Sequence, residues 1–349
     1  MKIIHTADIH LGSKINSFPK DVSQSRKEEV RNAFKRMVEY ATENGVEVIL
    51  ISGDLFDSDK PLVKDKDFFY SVVQNNPHIT FLYLRGNHDE TNDGKLLDNL
   101  KTFSTEWTGY DFNGVTITGV EIVKENATSI YSTLSLDDSK LNIVMLHGQI
   151  GDSSGVQKVN LSKLRDKGID YLALGHIHER SSGKIDERGV YAYSGCLEGR
   201  GLDETGKKGF ILLDVSDKVN AQFIPFSERE ISLITVDISG LSDVYEIYLK
   251  VLNTANFSKS GIYKVELTGE VDVVFDGLEA DLLKYLSSAA SYVEIKDLTQ
   301  KKLKLEDFEN DTSIKGEFVR VVLADETLSN DEKSQIISYG LKALSGRDI

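Results

Sequence analysis

Five short blocks carry the side chains that could do chemistry. They are ADIH with Asp8 and His10, GDLFD with Asp54 and Asp57, and GNHD with Asn87, His88 and Asp89. HG with His147 and GHIH with His176 and His178 complete the set. Carboxylates, imidazoles and one carboxamide without sulfur suit borderline to hard cations: manganese, iron, zinc or magnesium. Two such ions roughly 3.5–4 Å apart clamp the attacking and leaving oxygens of a phosphoryl displacement. An aspartate with two oxygens can bridge them, and Asp54, between the other blocks in sequence, is the candidate. His88 follows Asn87 but points differently, free to donate a proton or stabilise charge on a leaving oxygen. Singly the blocks are ordinary. GNHD is a common turn, GDLFD alone reads as a strand followed by an Asx-turn, and H-x-H pairs also occur on surfaces.

What unites them is their place in the chain. Each follows a short apolar run of the kind that a two-sided sheet position requires: Lys2 to Thr6, Val48 to Ser52, Phe81 to Leu84, Asn142 to Leu146, and Tyr171 to Leu174. Ligands bind beyond the carboxyl ends of strands in open α/β sheets. The chain has seven histidines, and the five at these strand ends would converge on one site if the strands end at a common edge. His5, inside the first run, reads as a hydrogen-bonded core or supporting histidine, and His78, after Pro77, as solvated. Asp57 and Asp89 either orient a catalytic group or close a turn. For Asp89 the favoured role is fixing a neighbouring imidazole.

Strand and helix signals alternate to about residue 230, which indicates a layered α/β domain. The clearest helix spans residues 25–45, with Ser25 and Glu28 as a capping box and Gly45 at its end. After Phe226 a βαβαβ run forms a small α+β domain without histidine, and a helical tail follows from about residue 311. The organisation expected is 1–228, 229–310 and 311–349. At 349 residues the chain exceeds one ordinary core. No run approaches the about 18 apolar residues of a membrane span. The N-terminus lacks the features of a signal peptide, and Cys196, the only cysteine, excludes a disulfide framework and a thiolate cluster. A cytoplasmic protein is expected. The net charge of −15 argues against a free-standing nucleic-acid binder. Bound divalent ions or a partner subunit could supply positive charge.

In this order the five blocks resemble the calcineurin-like metallophosphoesterase superfamily over residues 1 to 215. The opening HTADIHLGSK, together with YSGCLEGRGLDETGKKGFILLDV (residues 193–215), is similar to DNA repair exonucleases of the SbcD and YhaO type. The small domain after residue 230 resembles their capping domain. The resemblance implies a four-layer αββα sandwich with a small C-terminal α+β cap. It also implies two divalent ions, usually manganese, with Asp8, His10, Asp54 and His178 holding one and Asp54, Asn87, His147 and His176 the other. His88 would assist the leaving group while a metal-bridging hydroxide attacks phosphorus in line, cutting DNA. An SbcC-like ATPase and a second copy of the nuclease are the usual partners. Aspartate at position 57 is closer to the bacterial pattern than to the archaeal one, which has histidine there. The competing reading is a phosphodiesterase or phosphatase for nucleotides or other small esters. A binding subunit with a vestigial site is disfavoured, because no expected ligand is missing.

Overall fold

The computed structural model describes all residues except 90–96, 273, 274, 276, 303–307, 309 and 345–349. The last five residues of the expected tail therefore lie outside the described residues. The chain begins β1 (Lys2–Thr6), α1 (Lys20–Glu43), β2 (Val48–Ser52), α2 (Val63–Gln74), β3 (Thr80–Leu84) and β4 (Leu100–Thr102). Next come β5 (Thr108–Phe112), β6 (Val115–Gly119), α3 (Ile130–Thr133), β7 (Leu141–His147), β8 (Gln149–Ile150) and β9 (Lys158–Val159). The strands β10 (Tyr171–Gly175), β11 (Ser181–Lys184), β12 (Val190–Tyr193), β13 (Gly209–Val215) and β14 (Val219–Pro225) complete this part.

Two six-stranded sheets result, ordered β14-β13-β1-β2-β3-β4 and β11-β12-β10-β7-β6-β5. Strands β1 to β4 run parallel, as do β6, β7, β10 and β12. The near-continuous apolar runs follow from this arrangement, because each central strand is covered on both faces. Alternate residues separate cleanly along β2. Val48 and Leu50 join Ile143, Met145 and Tyr171 of the second sheet in the core between the sheets. Ile49 and Ile51 instead pack with Phe34, Met37 and Phe69 of α1 and α2. The layer on the far side of the second sheet is thin. It consists of loops, α3 and a 3₁₀ turn at Leu161–Leu164, whose Leu164 packs with Leu172 and Leu174. The fold is thus an α/β sandwich with one full helical layer and one reduced layer.

Helix α1 departs from expectation at its start. It begins at Lys20 behind Pro19, five residues before Ser25. Proline fixes a φ compatible with helix entry, and Asp21 in the first turn complements the helix dipole. Ser25 therefore lies inside the helix, where its Oγ donates to Glu29 Oε1 at 3.0 Å. Gly45, at φ +66°, follows the C-terminus as expected.

The chain divides into two compact units: residues 1–234 with 257–264 and 287–294, and the remainder. Beyond β14 the order is β15 (Ile231–Asp237), α4 (Val244–Thr254), β16 (Ile262–Thr268), β17 (Glu270–Val271), α5 (Leu278–Leu286), β18 (Tyr292–Asp297) and β19 (Gln300–Lys301). Strands β15, β16 and β18 form a three-stranded sheet in the order β15-β16-β18, and α4 starts from an Asp243 cap. A helical hairpin of α6 (Ile314–Ala324) and α7 (Asn330–Leu344) follows, closed by Val319, Val322, Ile337 and Leu341.

Candidate metal centre

The carboxyl ends of β1, β2, β3, β7 and β10 carry the five blocks, and the sandwich brings them together. Ligand-type atoms of Asp8, His10 and His178 lie within 4.8 Å of one another, and so do those of Asp54, His147 and His176. Asp54 Oδ2 faces both groups, 3.8 Å from His10 Nε2 and 3.5 Å from His147 Nε2. Its Oδ1 accepts the His88 N–H at 3.0 Å. A single oxygen of Asp54 thus points between the clusters. Asn87 Oδ1 joins the second group, 3.1 Å from His147 Nε2 and 3.3 Å from His176 Nδ1.

Local backbone geometry explains why the strands stop here. Asp8, His10, Asp54 and His176 are four of the seven described non-glycine residues with positive φ. Such left-handed conformations cost energy in non-glycine residues and cluster at functional sites. Cross-strand hydrogen bonds hold them in place. Asp8 N–H donates to Gly53 O and His10 N–H to Asp54 O, both at 3.0 Å. His176 N–H donates to Asp8 Oδ1 at 2.9 Å. Close approach also demands glycine at position 86, where a Cβ would stand 2.1 Å from Asp54 Oδ1.

The imidazoles are oriented from behind. His10 Nδ1 lies 3.1 Å from Asp57 Oδ1, and His178 Nδ1 lies 2.7 Å from Glu204 Oε1. His178 Nδ1 must carry its hydrogen to meet a carboxylate at that range, whereas His10 Nδ1 faces Asp57 without the alignment of a hydrogen bond. Arg200 Nη2 also lies 3.1 Å from His178 Nδ1, but a protonated nitrogen cannot accept, so its bond is to Glu204 at 2.6 Å. His178 Nε2 then turns its lone pair toward His10 Nε2, 3.2 Å away. The oxygen and nitrogen donors gathered in each cluster fit a divalent ion. His147 Nδ1 donates to Ser52 O at 2.9 Å, leaving its Nε2 directed at the second cluster.

Burial and mutual contact set the charges of the ion-free cluster. Burial raises the Asp8 carboxyl to about 6, with the neighbouring Asp54 charge adding to the shift. Burial lowers His10 to about 4. Burial also works against charge on Asp54 and His147, but their mutual contact prevails. Asp54 is held well below the usual carboxylate range, and His147 is raised to about 9.

Of the remaining sequence candidates, His88 is exposed, with its ring centroid 5.4 Å from that of His10. Among the described residues, Asp89 makes no hydrogen bond to the His88 imidazole. Its carboxylate accepts main-chain N–H groups from Gly86 at 2.8 Å, Phe56 at 2.9 Å and Leu55 at 3.3 Å, tying the third block to the second. His5 is fully buried between Tyr171 Oη and Leu174 O, and His78 is exposed. The sequence reading gave no role to Arg200, Glu204 or the Arg85–Glu121 ion pair, which borders a cavity of about 220 Å³ reaching Asn87 and His147. The only sequence signal for Arg200 and Glu204 was their place in the segment after the last two histidines.

A two-sheet sandwich with a carboxylate–imidazole site at its strand ends defines a metal-dependent phosphoesterase. The family profile "Calcineurin-like phosphoesterase" matches residues 1–180, and the chain belongs to that family. Among curated relatives, the uncharacterised metallophosphoesterase YhaO of Bacillus subtilis is 28% identical over 282 residues, covering 74% of this chain and 68% of that one. The DNA double-strand break repair protein Mre11 of Saccharolobus solfataricus is 27% identical over 264 residues, covering 69% and 68%. Mre11 of Sulfurisphaera tokodaii is 24% identical over 364 residues, covering 96% and 92%. No described helix is long and apolar enough to cross a membrane.

Proposed function

We propose that this phosphoesterase is a manganese-dependent DNA nuclease of SbcD type, acting in DNA repair. The observation that carries the reading is the pair of clusters joined through Asp54 Oδ2, with His88 at their rim. In this reading Asp8, His10, Asp54 and His178 hold one ion, and Asp54, Asn87, His147 and His176 the other. When bound, such ions neutralise phosphate charge and activate the attacking water. His88, exposed beside His10, supplies the proton to the leaving oxygen. Asp57 keeps His10 Nε2 turned inward, and Asp89 fixes the turn that presents Asn87 and His88. The similarity to proteins named for double-strand break repair supports DNA as the substrate. Residues 229–310 are assigned to a capping domain and 311–349 to a helical tail. A second copy and an SbcC-like ATPase are the partners this reading predicts, in the cytoplasm.

The net charge of −15 favours a second reading, hydrolysis of small phosphodiesters. Manganese-dependent digestion of end-labelled single- and double-stranded DNA, with bis-p-nitrophenyl phosphate alongside, separates the two. DNA cleavage that disappears in His88→Ala is the expected result. Cleavage of the small ester with intact DNA transfers the assignment to the second reading.

A further inference from the structure

One guanidinium is fastened to the supports of two ligands at once. Arg200 and Glu204 sit in the loop between β12 and β13, both largely buried. Arg200 Nη1 donates to Asp57 Oδ1 at 3.0 Å and Nη2 to Glu204 Oε1 at 2.6 Å. The Arg200 main-chain N–H adds a bond to Glu204 Oε2 at 2.7 Å. Each carboxylate has an imidazole on its other side, His10 for Asp57 and His178 for Glu204. A continuous chain, His10–Asp57–Arg200–Glu204–His178, therefore runs behind the Asp8 cluster. Its forked member matches a role that arginine performs and lysine does not.

The other cluster has no such backing. His147 rests on a main-chain carbonyl, Ser52 O at 2.9 Å. His176 is half-buried, with its Nδ1 turned to Asn87. Among the described residues no carboxylate outside the ligand set contacts either ring.

We infer that Glu204 and Arg200 are positioning residues that make the two half-sites unequal, so that the Asp8–His10–His178 half-site binds its ion first and more tightly. A carboxylate behind a ligating imidazole fixes ring and tautomer and raises donor basicity. Arg200 locks two such carboxylates in one geometry, so less ordering remains when the ion enters. The inference rests on the two-ion reading of the site.

The full chain titrated with Mn(II), followed by calorimetry and electron paramagnetic resonance, tests it. The unaltered protein is expected to bind two ions in resolved steps. Glu204→Gln is expected to weaken the tighter step by about 10–100-fold and leave the weaker step in place. Arg200→Lys, which keeps the charge but loses the fork, moves the same step by less. General loosening of the fold would weaken both steps together, so the split between them reports positioning. Should Glu204→Gln not fold, Asp57→Asn at the more exposed end of the chain must weaken that same step. Unchanged steps in a folded variant, or movement of the weaker step alone, overturn the inference. Failure of the unaltered protein to bind Mn(II) overturns the two-ion reading itself.

Discussion

Gly53→Ala should remove one ion while leaving the fold in place. Gly53 has φ +94°, a backbone that disfavours any Cβ, and an added Cβ would stand 2.0 Å from His147 Nδ1 and 2.6 Å from its Cγ. The left-handed backbone costs about 1–2 kcal/mol. Forcing an extra methyl group into a packed site typically costs about 1–3 kcal/mol more. The ring must retreat more than an ångström to reach ordinary contact, which breaks its 2.9 Å bond to Ser52 O and withdraws Nε2 from Asp54. A loss of roughly 2–5 kcal/mol corresponds to a fall in Tm of roughly 5–15 °C for a domain of this size. Differential scanning calorimetry reads the fall, and mass analysis of the manganese-loaded protein reads one ion in place of two. An unchanged Tm with two ions retained would refute the geometric argument.

His88→Ala should keep both ions and lose turnover by about 10²–10⁴-fold, the range for general acid–base groups; steady-state assays on bis-p-nitrophenyl phosphate with metal analysis check this. Asp54→Ala should weaken both binding steps in a Mn(II) titration, because its Oδ2 faces both clusters. At pH 7.5 the Asp8 carboxyl is already ionised, being centred at about 6, whereas His147, raised to about 9, still holds a proton. Filling the second half-site should therefore release about one proton per ion, and its affinity should rise with pH until about 9. Calorimetry in buffers of different ionisation enthalpy measures that release. In the ion-free protein, Asp8 binds its proton more tightly folded than unfolded. Its stabilising effect is full below about pH 4 and is lost as pH rises through about 6; melting curves with and without chelator show the loss.

The strands were legible because each central one is covered on both faces, which forces the apolar runs that stop at Thr6, Ser52, Leu84, His147 and Gly175. The ligand blocks were legible for the same reason, since their clustered polar groups begin where the covering ends. The βαβαβ order after residue 230 also emerged, because its strands alternate and its helices keep a regular apolar stripe. Helix α1 was misread because Ser25 and Glu28 have the spacing of a capping box, while the helix begins at Lys20, five residues earlier, behind Pro19. Asp89 was assigned to its sequence neighbour, yet it serves the main chain of Leu55 and Phe56, more than thirty residues away. Arg200 and Asp57 are separated by 143 positions, and no local pattern announces such a pair.

Each cluster draws on both sheets. Asp8 and His10 follow β1 and His178 follows β10; Asp54 and Asn87 follow β2 and β3, while His147 and His176 come from β7 and β10. Neither sheet alone completes either cluster, so metal content becomes a gauge of how one sheet is seated on the other. Slippage between the sheets by the length of a single residue would disconnect both half-sites together, well before either sheet lost its own hydrogen bonds. A bound pair of ions would act as rivets across that seam, and the strand ends around them should be the last part of the interface to exchange their amide hydrogens.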